Sequence, residues 1–212
     1  HSHLMAMTVP SCVAYDPTYS YEVAVILQDG LRRMNQEQES CFFYITLLNE
    51  NYVHPELPAG SEQGILKGMY PLRSVNGKAA KGRKALRVQL MGSGSILREV
   101  EKAAEILAAD YGVSSDVWSA TSFTELRKDG LAVDRWNRLH PTKKPKTSFV
   151  AQSLAGREGP VIASTDYMKA FPDLIRPWID RPFHVLGTDG FGRSDTRSAL
   201  RRFFEVDAAH VV

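Results

Sequence analysis

Hydrophobic and polar residues follow two patterns along this chain, one typical of helices and one typical of buried strands. Apolar residues recur at helical spacing from Tyr19 to about residue 36 and again from 97 to 111. Asp16 and Pro17 predict the start of the first helix, with the aspartate as its N-cap. Between the two helices, the continuous apolar run 42–48 predicts a strand that is buried on both faces.

Farther along the chain, short apolar runs alternate with amphipathic stretches. Strands are predicted at 86–91, 116–120, 161–164 and 183–186. Further helices are predicted at 61–67, 125–139, 167–175 and 195–204. Gly130 is expected to strain the second of these helices, and Ser194 with Asp195 is expected to cap the last. The alternation predicts the α/β class, with a mostly parallel sheet and helices on both faces.

The helical and strand patterns fade between residues 49 and 85, where prolines and glycines are frequent and 78–84 is a basic, loop-like stretch. The sequence therefore predicts two unequal α/β units, 1–48 and 86–212, joined by a linker at 49–85 that carries functional residues.

The composition is that of an ordinary globular protein. The chain has 212 residues, of which 43% are hydrophobic and 24% charged, and a net charge of +2 is too small to indicate a nucleic-acid partner. No apolar run approaches the roughly 20 residues that a membrane-spanning helix needs. Two cysteines, Cys12 and Cys41, do not make a disulfide framework, so we expect a reducing, cytoplasmic environment.

A glycine-rich turn lies where a strand meets a helix. Gly92-Ser93-Gly94 stands at the place where a dinucleotide's pyrophosphate would bind. The complete fingerprint requires a small residue where Leu97 stands, and no acidic residue ends the next strand. A tight turn with Ser95 as N-cap is therefore favoured, and a nucleotide-dependent oxidoreductase is the weaker alternative.

A polar run follows the apolar run 42–48 directly. It contains Asn49, Glu50, Asn51, Tyr52 and His54, the last in front of a proline. Ligands of parallel α/β sheets bind beyond the carboxyl ends of the strands, where these residues are expected. A histidine there can donate a hydrogen bond to an anionic substrate or move a proton near neutral pH, although a lone histidine before proline is more often structural.

Other groups of reactive side chains are less informative. Arg193, Arg197, Arg201 and Arg202 could meet an acidic partner or bind anions, but a solvated or subunit-facing surface is favoured. The histidines and cysteines do not have the spacing of metal ligands, so no metal site is predicted. No Ser–His–acid nucleophile is predicted either.

Eight sequence blocks occur in one order along the chain. They are 15–24, 49–52 before Pro55, 90–98, 121–126, 135–141, 163–169, 187–195 and 204–207. The most informative is 187–195, which reads Gly-Thr-Asp-Gly-Phe-Gly-Arg-Ser-Asp. Together the blocks resemble the C-terminal part of the homodimeric, transketolase-like pyruvate dehydrogenase (acetyl-transferring) component, over essentially the whole chain.

The resemblance implies a homodimeric enzyme of three α/β domains, with thiamine diphosphate and Mg²⁺ held between two subunits. Its cofactor attacks pyruvate, carbon dioxide leaves, and the acetyl unit passes to a lipoyl group of the dihydrolipoyl acetyltransferase. Residues 1–48 would then be the end of the middle, pyrimidine-binding-type domain. Residues 49–85 would be a linker near the active site, and 86–212 a transketolase C-terminal-like domain.

The resemblance also implies which residues face the substrate. Read alone, a leading His-Ser-His could be the remainder of an expression tag, but the family carries the same triplet within an active-site loop. His3 is therefore the first catalytic candidate, and His1 is expected near the substrate. His54 is the second catalytic candidate, although some relatives place the histidine one position earlier, where Val53 stands. The polar run before it is expected to be substrate-proximal.

In the family, the motif that holds the diphosphate and Mg²⁺ and the glutamate that activates the cofactor lie outside the matched part. We therefore expect the 212-residue chain alone to bind no cofactor and to be inactive. Pyruvate and the lipoyl domain are the expected partners, without nucleic acid or membrane, in a bacterial cytoplasm. The alternatives are a related thiamine-dependent 2-oxo acid dehydrogenase or transketolase-like enzyme, and an autonomous α/β assembly module.

Overall fold

Two sheets organise residues 1–78 and 86–212, the part of the chain that the computed structural model describes. The strands are β1 (Cys12–Tyr15), β2 (Phe42–Ile45), β3 (Tyr70–Val75), β4 (Arg87–Gly92), β5 (Ser114–Ser119), β6 (Val161–Ser164) and β7 (Phe183–Leu186). The α-helices are α1 (Ser2–Ala6), α2 (Ser20–Leu31), α3 (Glu62–Lys67), α4 (Leu97–Asp110), α5 (Phe123–Leu139), α6 (Phe149–Leu154), α7 (Ala170–Asp173), α8 (Arg197–Phe203) and α9 (Ala208–Val211).

The larger sheet has the strand order β3-β5-β4-β6-β7, and only β3 runs antiparallel to its neighbour. Apolar residues of α4 and α9 pack on one face, and apolar residues of α5, α6 and α7 pack on the other. Leu90 faces the first of these layers, and Met91 beside it faces the second. The predicted α/β class, with a mostly parallel sheet and helices on both faces, is confirmed.

The smaller sheet pairs β1 with β2 in parallel, with Tyr15 beside Ile45. The prediction of a strand buried on both faces over 42–48 is wrong. The strand ends at Ile45, Phe42 is 48% exposed and Leu47 is 69% exposed. Within the described residues β2 has one neighbouring strand, and an apolar sequence alone does not show which of its faces another element covers.

The span 49–85 contains more regular structure than its sequence predicts. The predicted helix at 61–67 is confirmed as α3. The sequence does not predict the edge strand β3, because Pro71 interrupts its strand pattern. In the sheet, the pairing of β3 with β5 shifts register between Pro71 and Arg73. Residues 79–85, with most of the basic stretch, lie outside the described part of the chain.

The first long helix begins at Ser20, so the prediction that Asp16 caps it is wrong. The carboxylate of Glu22 accepts the backbone N–H groups of Thr18 and Tyr19 at 2.5 and 2.9 Å, which satisfies donors at the helix start. Asp16 instead follows β1 and is buried. A side chain from inside the helix thus performs the capping that the sequence assigns to the aspartate before the proline.

Other predicted helix features also change. Ser95, predicted as the N-cap of α4, lies inside a 3₁₀ turn ahead of that helix. The cap of α8 is Thr196, whose hydroxyl accepts the N–H of Ala199, and not the predicted Ser194 and Asp195. Gly130 does not strain α5. A Cβ atom there would lie 2.3 Å from the Trp178 ring, so the glycine makes room for the indole. The predicted helix at 167–175 shortens to α7, followed by a 3₁₀ turn.

Among the helices of residues 1–78 and 86–212, none combines the length and apolar character that crossing a bilayer requires.

Candidate functional site

The carboxyl ends of the parallel strands of both sheets meet at one junction. The N–H of Asp16, after β1, donates to the Thr121 carbonyl at 2.8 Å, and the N–H of Gly94, after β4, donates to the Asp16 carbonyl at 3.1 Å. The hydroxyl of Thr18 donates to the Gly94 carbonyl at 2.7 Å. Because ligands of parallel α/β sheets bind beyond the carboxyl ends of the strands, this junction is the candidate site.

A chain of hydrogen bonds crosses the junction through three side chains. His3, on α1, has its Nε2 atom 3.0 Å from the hydroxyl of Thr46. That hydroxyl, at the end of β2, lies 2.7 Å from Oδ1 of Asp16 and 3.2 Å from the Tyr15 carbonyl. His3 and Asp16 are both buried. One of the two predicted catalytic histidines is therefore held at the sheet ends, where the Thr46 hydroxyl links it to the carboxyl group of Asp16.

Aromatic rings enclose the imidazole of His3. The centroids of the Tyr44, Tyr167 and Phe171 rings lie 5.3, 4.8 and 4.8 Å from its own. Burial, and then the nearby amino-terminal charge, lowers the pKa of His3 to about 4, so the ring is neutral at pH 7. Its Nδ1 atom is buried and has no hydrogen-bond partner within the described residues.

Asp16 is a site residue that the sequence did not reveal, because its place before a proline is typical of a helix cap. Burial raises the pKa of this carboxyl group to about 7, against the opposing effect of the Thr46 and Ser93 hydroxyls. Its Oδ2 atom has no hydrogen bond of normal geometry within the described residues. Gly94, at φ +51°, leaves room for the Asp16 carboxyl group, since a Cβ atom on this glycine would lie 2.8 Å from Oδ2.

The raised pKa of Asp16 predicts a pH-dependent stability. Folding favours the protonated acid, so this contribution is present below the ordinary pKa of about 4 and is lost as pH rises through about 7. At 1.36 kcal/mol per unit, the loss is about 4 kcal/mol at most. Urea unfolding between pH 4 and pH 8 should show a smaller decline for Asp16→Asn than for the wild type. The exposed control Asp180→Asn should keep the wild-type slope, and equal slopes for all three would contradict this prediction.

Glu50 belongs to an ion-pair network. Its carboxylate lies 2.5 Å from Arg201 and 3.1 Å from Arg98, and Arg201 also lies 3.3 Å from Glu99. Burial acts to raise the pKa of Glu50, but the arginines outweigh it and hold the pKa below its ordinary value. Arg201, assigned by its sequence to a surface cluster, instead lies partly buried between two carboxylates, with 11% of its side chain exposed.

A cleft of about 220 Å³ opens between α8 and the loops that follow β4, β6 and β7. Asn49 and Glu50 line it, together with Ser95 and Asp166. The Ser95 hydroxyl donates to Asp166 at 3.1 Å, and burial raises the pKa of this aspartate against that hydrogen bond. The side chain of Arg197 donates to the Asn49 carbonyl. The cleft thus combines carboxyl, hydroxyl and guanidinium groups.

The other residues of the predicted site lie apart from the His3 hydrogen-bond chain. Tyr52 donates its hydroxyl proton to the Thr18 carbonyl, and its ring lies 4.5 Å from the Arg98 guanidinium. Asn51 is exposed. His1, also exposed, has Nε2 3.1 Å from the Gly190 carbonyl, and its Nδ1 accepts a backbone N–H after β6 at 3.3 Å. His1 therefore joins two loops at the carboxyl edge of the sheet.

His54 lies at the start of α2, where its Nδ1 accepts the N–H of Ser20 at 3.0 Å. Because this N–H has no partner within the helix, we expect His54→Ala to lower the free energy of unfolding by about 1 kcal/mol. His54→Asn, which keeps a side-chain acceptor, should recover part of the loss. Urea unfolding of the two variants measures the difference, and equal stability of His54→Ala and the wild type would contradict this capping role.

Within the described residues, no cluster of side chains would hold Mg²⁺ without a further ligand. Mg²⁺ with a diphosphate requires oxygen ligands in a near-octahedral arrangement. No group of three or more His, Cys, Asp or Glu side chains within residues 1–78 and 86–212 is arranged to hold a metal ion. The carboxylate of Glu50, in the cleft, is already bound by Arg98 and Arg201.

Comparison with known families gives two matches along the chain. Residues 1–55 match a family described as the pyruvate dehydrogenase E1 component middle domain. Residues 68–207 match one described as the transketolase-like TK C-terminal domain.

The curated relatives include pyruvate dehydrogenase E1 components of several bacteria. That of Pseudomonas aeruginosa is 59% identical over 213 residues, which cover 100% of this chain and 24% of the relative. That of Escherichia coli K12 is 54% identical over 214 residues, covering 100% of this chain and 23% of the relative. The chain thus spans about a quarter of the length of the curated relatives it matches.

Solved structures extend the likeness in fold. A transketolase from Leishmania mexicana matches with a TM-score of 0.60 at 16% identity, over 99% of this chain and 25% of that one. An inactive tetramer of four β subunits of a split-gene transketolase matches with a TM-score of 0.53 at 14% identity, over 98% of this chain and 58% of that one.

Proposed function

We propose that this chain serves in a pyruvate-decarboxylating, lipoyl-acetylating enzyme. The chain belongs to the family of transketolase-like C-terminal domains, and it matches pyruvate dehydrogenase E1 components over its whole length. Its part is to supply residues on the substrate side and to help assemble a homodimer. The observation that carries the proposal is the neutral imidazole of His3, buried where the carboxyl ends of two sheets meet.

In this proposal His3 moves a proton during the reaction. A histidine that is neutral at pH 7 and held in one orientation can accept a proton and return it. Contact with the Thr46 hydroxyl fixes Nε2, while Nδ1 has no partner within the described residues. The enclosing rings of Tyr167 and Phe171 keep the imidazole out of water. His54 is a second, weaker candidate, because its ring nitrogen already accepts a helix N–H.

The polar run after β2 would form the substrate side of the cleft. Glu50 is ionised and fixed by Arg98 and Arg201, so it offers a carboxylate in a constant position. Asn49 lines the same cleft. Thiamine diphosphate and Mg²⁺ would be held by parts of the enzyme outside this chain, because in the family the motif that holds the diphosphate and Mg²⁺ lies outside the matched part. The lipoyl domain of the acetyltransferase would receive the acetyl unit.

The direct test is a chimeric enzyme, defined here as the Pseudomonas aeruginosa relative in which the matching 213 residues are replaced by this chain. With thiamine diphosphate and Mg²⁺ it should release carbon dioxide from pyruvate and acetylate a lipoyl domain, with the parent enzyme as reference. The same enzyme lacking the segment should do neither. A folded, dimeric chimera that fails to decarboxylate pyruvate would overturn the proposal, and faster turnover of 2-oxoglutarate would favour the related 2-oxo acid dehydrogenase.

The chain alone should bind no cofactor. Calorimetric titration of the 212 residues with thiamine diphosphate and Mg²⁺ is expected to give no binding heat, because in the family the motif that holds the diphosphate and Mg²⁺ lies outside the matched part. NAD is the comparison ligand, and it too should give none. Tight binding of thiamine diphosphate would place more of the active site on this chain, whereas binding of NAD would revive the dinucleotide hypothesis for the Gly92–Gly94 turn.

A further inference from the structure

The hydroxyl of Thr46 can donate only one hydrogen bond, although the Tyr167 phenol hydrogen-bonds with it and three further polar atoms lie within 3.2 Å of it. It lies 2.7 Å from Asp16 Oδ1, 3.0 Å from His3 Nε2 and 3.2 Å from the Tyr15 carbonyl oxygen. A hydroxyl has one proton and two lone pairs. The protonation states of Asp16 and His3 therefore decide which way this proton points, because the Tyr15 carbonyl can only accept.

When Asp16 is ionised, its oxygens only accept. The Thr46 proton then points to Asp16 Oδ1, the shortest of the three contacts, and the threonine oxygen must accept from His3 Nε2. A neutral imidazole has one N–H. The proton of His3 is thus on Nε2, and Nδ1 keeps a free lone pair.

When Asp16 is protonated on Oδ1, the direction of the chain can reverse. The acid donates to Thr46, and the threonine hydroxyl turns its own proton to His3 Nε2. The imidazole proton must then lie on Nδ1, which becomes a donor. The atom with no partner within the described residues would change from a base to an acid.

We infer that Asp16, acting through Thr46, is a positioning residue that selects the tautomer of His3 and makes Nδ1 the atom that accepts a proton. This inference rests on the proposed function, in which His3 moves a proton. It assigns to Asp16 a role that neither its sequence position before Pro17 nor the resemblance suggests.

Several charged or titratable groups face Asp16 from the elements around it. They are His3 of α1 through Thr46, Glu22 of α2, Tyr52 of the polar run, and Asp166 and Tyr167 after β6. Glu22 and Asp16 differ in their hydrogen bonds. Glu22 accepts from two backbone N–H groups and from the hydroxyls of Tyr70 and Ser119, whereas Asp16 Oδ2 has no such partner within the described residues. The pKa of about 7 places the change of Asp16 near neutral pH.

The test uses Thr46 variants of the chimeric enzyme with its cofactors bound. Thr46→Val keeps the volume but removes the hydroxyl, and we expect kcat to fall by about 10- to 100-fold with KM changed by less than about threefold. Thr46→Ser keeps the hydroxyl and should stay within about threefold of wild type. In Asp16→Asn, the acidic limb of the kcat profile near pH 7 should flatten. Thermal unfolding checks that each variant is folded.

A measurement on the unsubstituted chimera covers the case in which Thr46→Val or Asp16→Asn does not fold. Neutron diffraction of crystals at pD 6 and pD 8 should locate deuterium on His3 Nδ1 at the lower value and on Nε2 at the higher. The same tautomer at both values would overturn the inference.

The outcomes separate this inference from the proposed function. If His3→Ala leaves kcat unchanged, the proposed catalytic role of His3 fails. If His3→Ala lowers kcat while Thr46→Val keeps the wild-type kcat and pH profile, the positioning role fails and the proposed function stands.

Discussion

In the chimeric enzyme, His3→Ala is expected to lower kcat for pyruvate by about 10²- to 10⁴-fold, the range of a positioned acid–base group. The reason is that His3 is a neutral, buried imidazole at the carboxyl ends of both sheets, and alanine can neither accept nor donate the proton. Release of carbon dioxide from pyruvate under saturating substrate measures the effect.

A second histidine provides the matched control. His184 lies in β7 with an exposed side chain, so His184→Ala should change kcat by less than about twofold. His3→Gln tests whether volume alone matters, because glutamine is polar but does not take up a proton near neutral pH. A folded His3→Ala enzyme with kcat within about threefold of wild type would exclude an acid–base role for this residue.

Arg201→Met is expected to destabilise the chain by about 3 kcal/mol, at the lower end of the range for breaking a buried ion pair. Methionine keeps much of the side-chain length but leaves Glu50 and Glu99 without the guanidinium between them. The loss stays at the lower end because Glu50 keeps Arg98 and Glu99 keeps Lys102. Urea unfolding at pH 7 measures it.

The neighbouring arginine is the control for this substitution. Arg202 is 80% exposed and lies 3.9 Å from Asp207, so Arg202→Met should change stability by less than about 0.5 kcal/mol. Equal losses for the two variants would mean that the buried network around Arg201 contributes no more than a surface ion pair.

The sequence by itself determined the parallel part of the larger sheet, but not its antiparallel edge strand β3. The strands β4, β6 and β7 lie where apolar runs predicted them, because a parallel strand that is covered on both faces is mostly apolar. The strand β5 overlaps its predicted run around Val117 and Trp118, although four of its six buried residues are polar. The eight blocks determined the family in the same way, since their residues and order can be read without coordinates. The sequence also pointed to His3, though only through the resemblance to a family with the same triplet.

Only the tertiary structure decided which residues make up the candidate site. Asp16 has the local sequence of a helix cap, yet the fold buries it against Gly94, and this burial raises its pKa although the Thr46 hydroxyl acts in the opposite direction. Arg201 has the sequence of a surface cluster, yet two carboxylates distant in the chain enclose it. Helical and strand periodicity depends on neighbours a few residues away, whereas burial and pKa depend on groups that the fold brings together from distant parts of the chain.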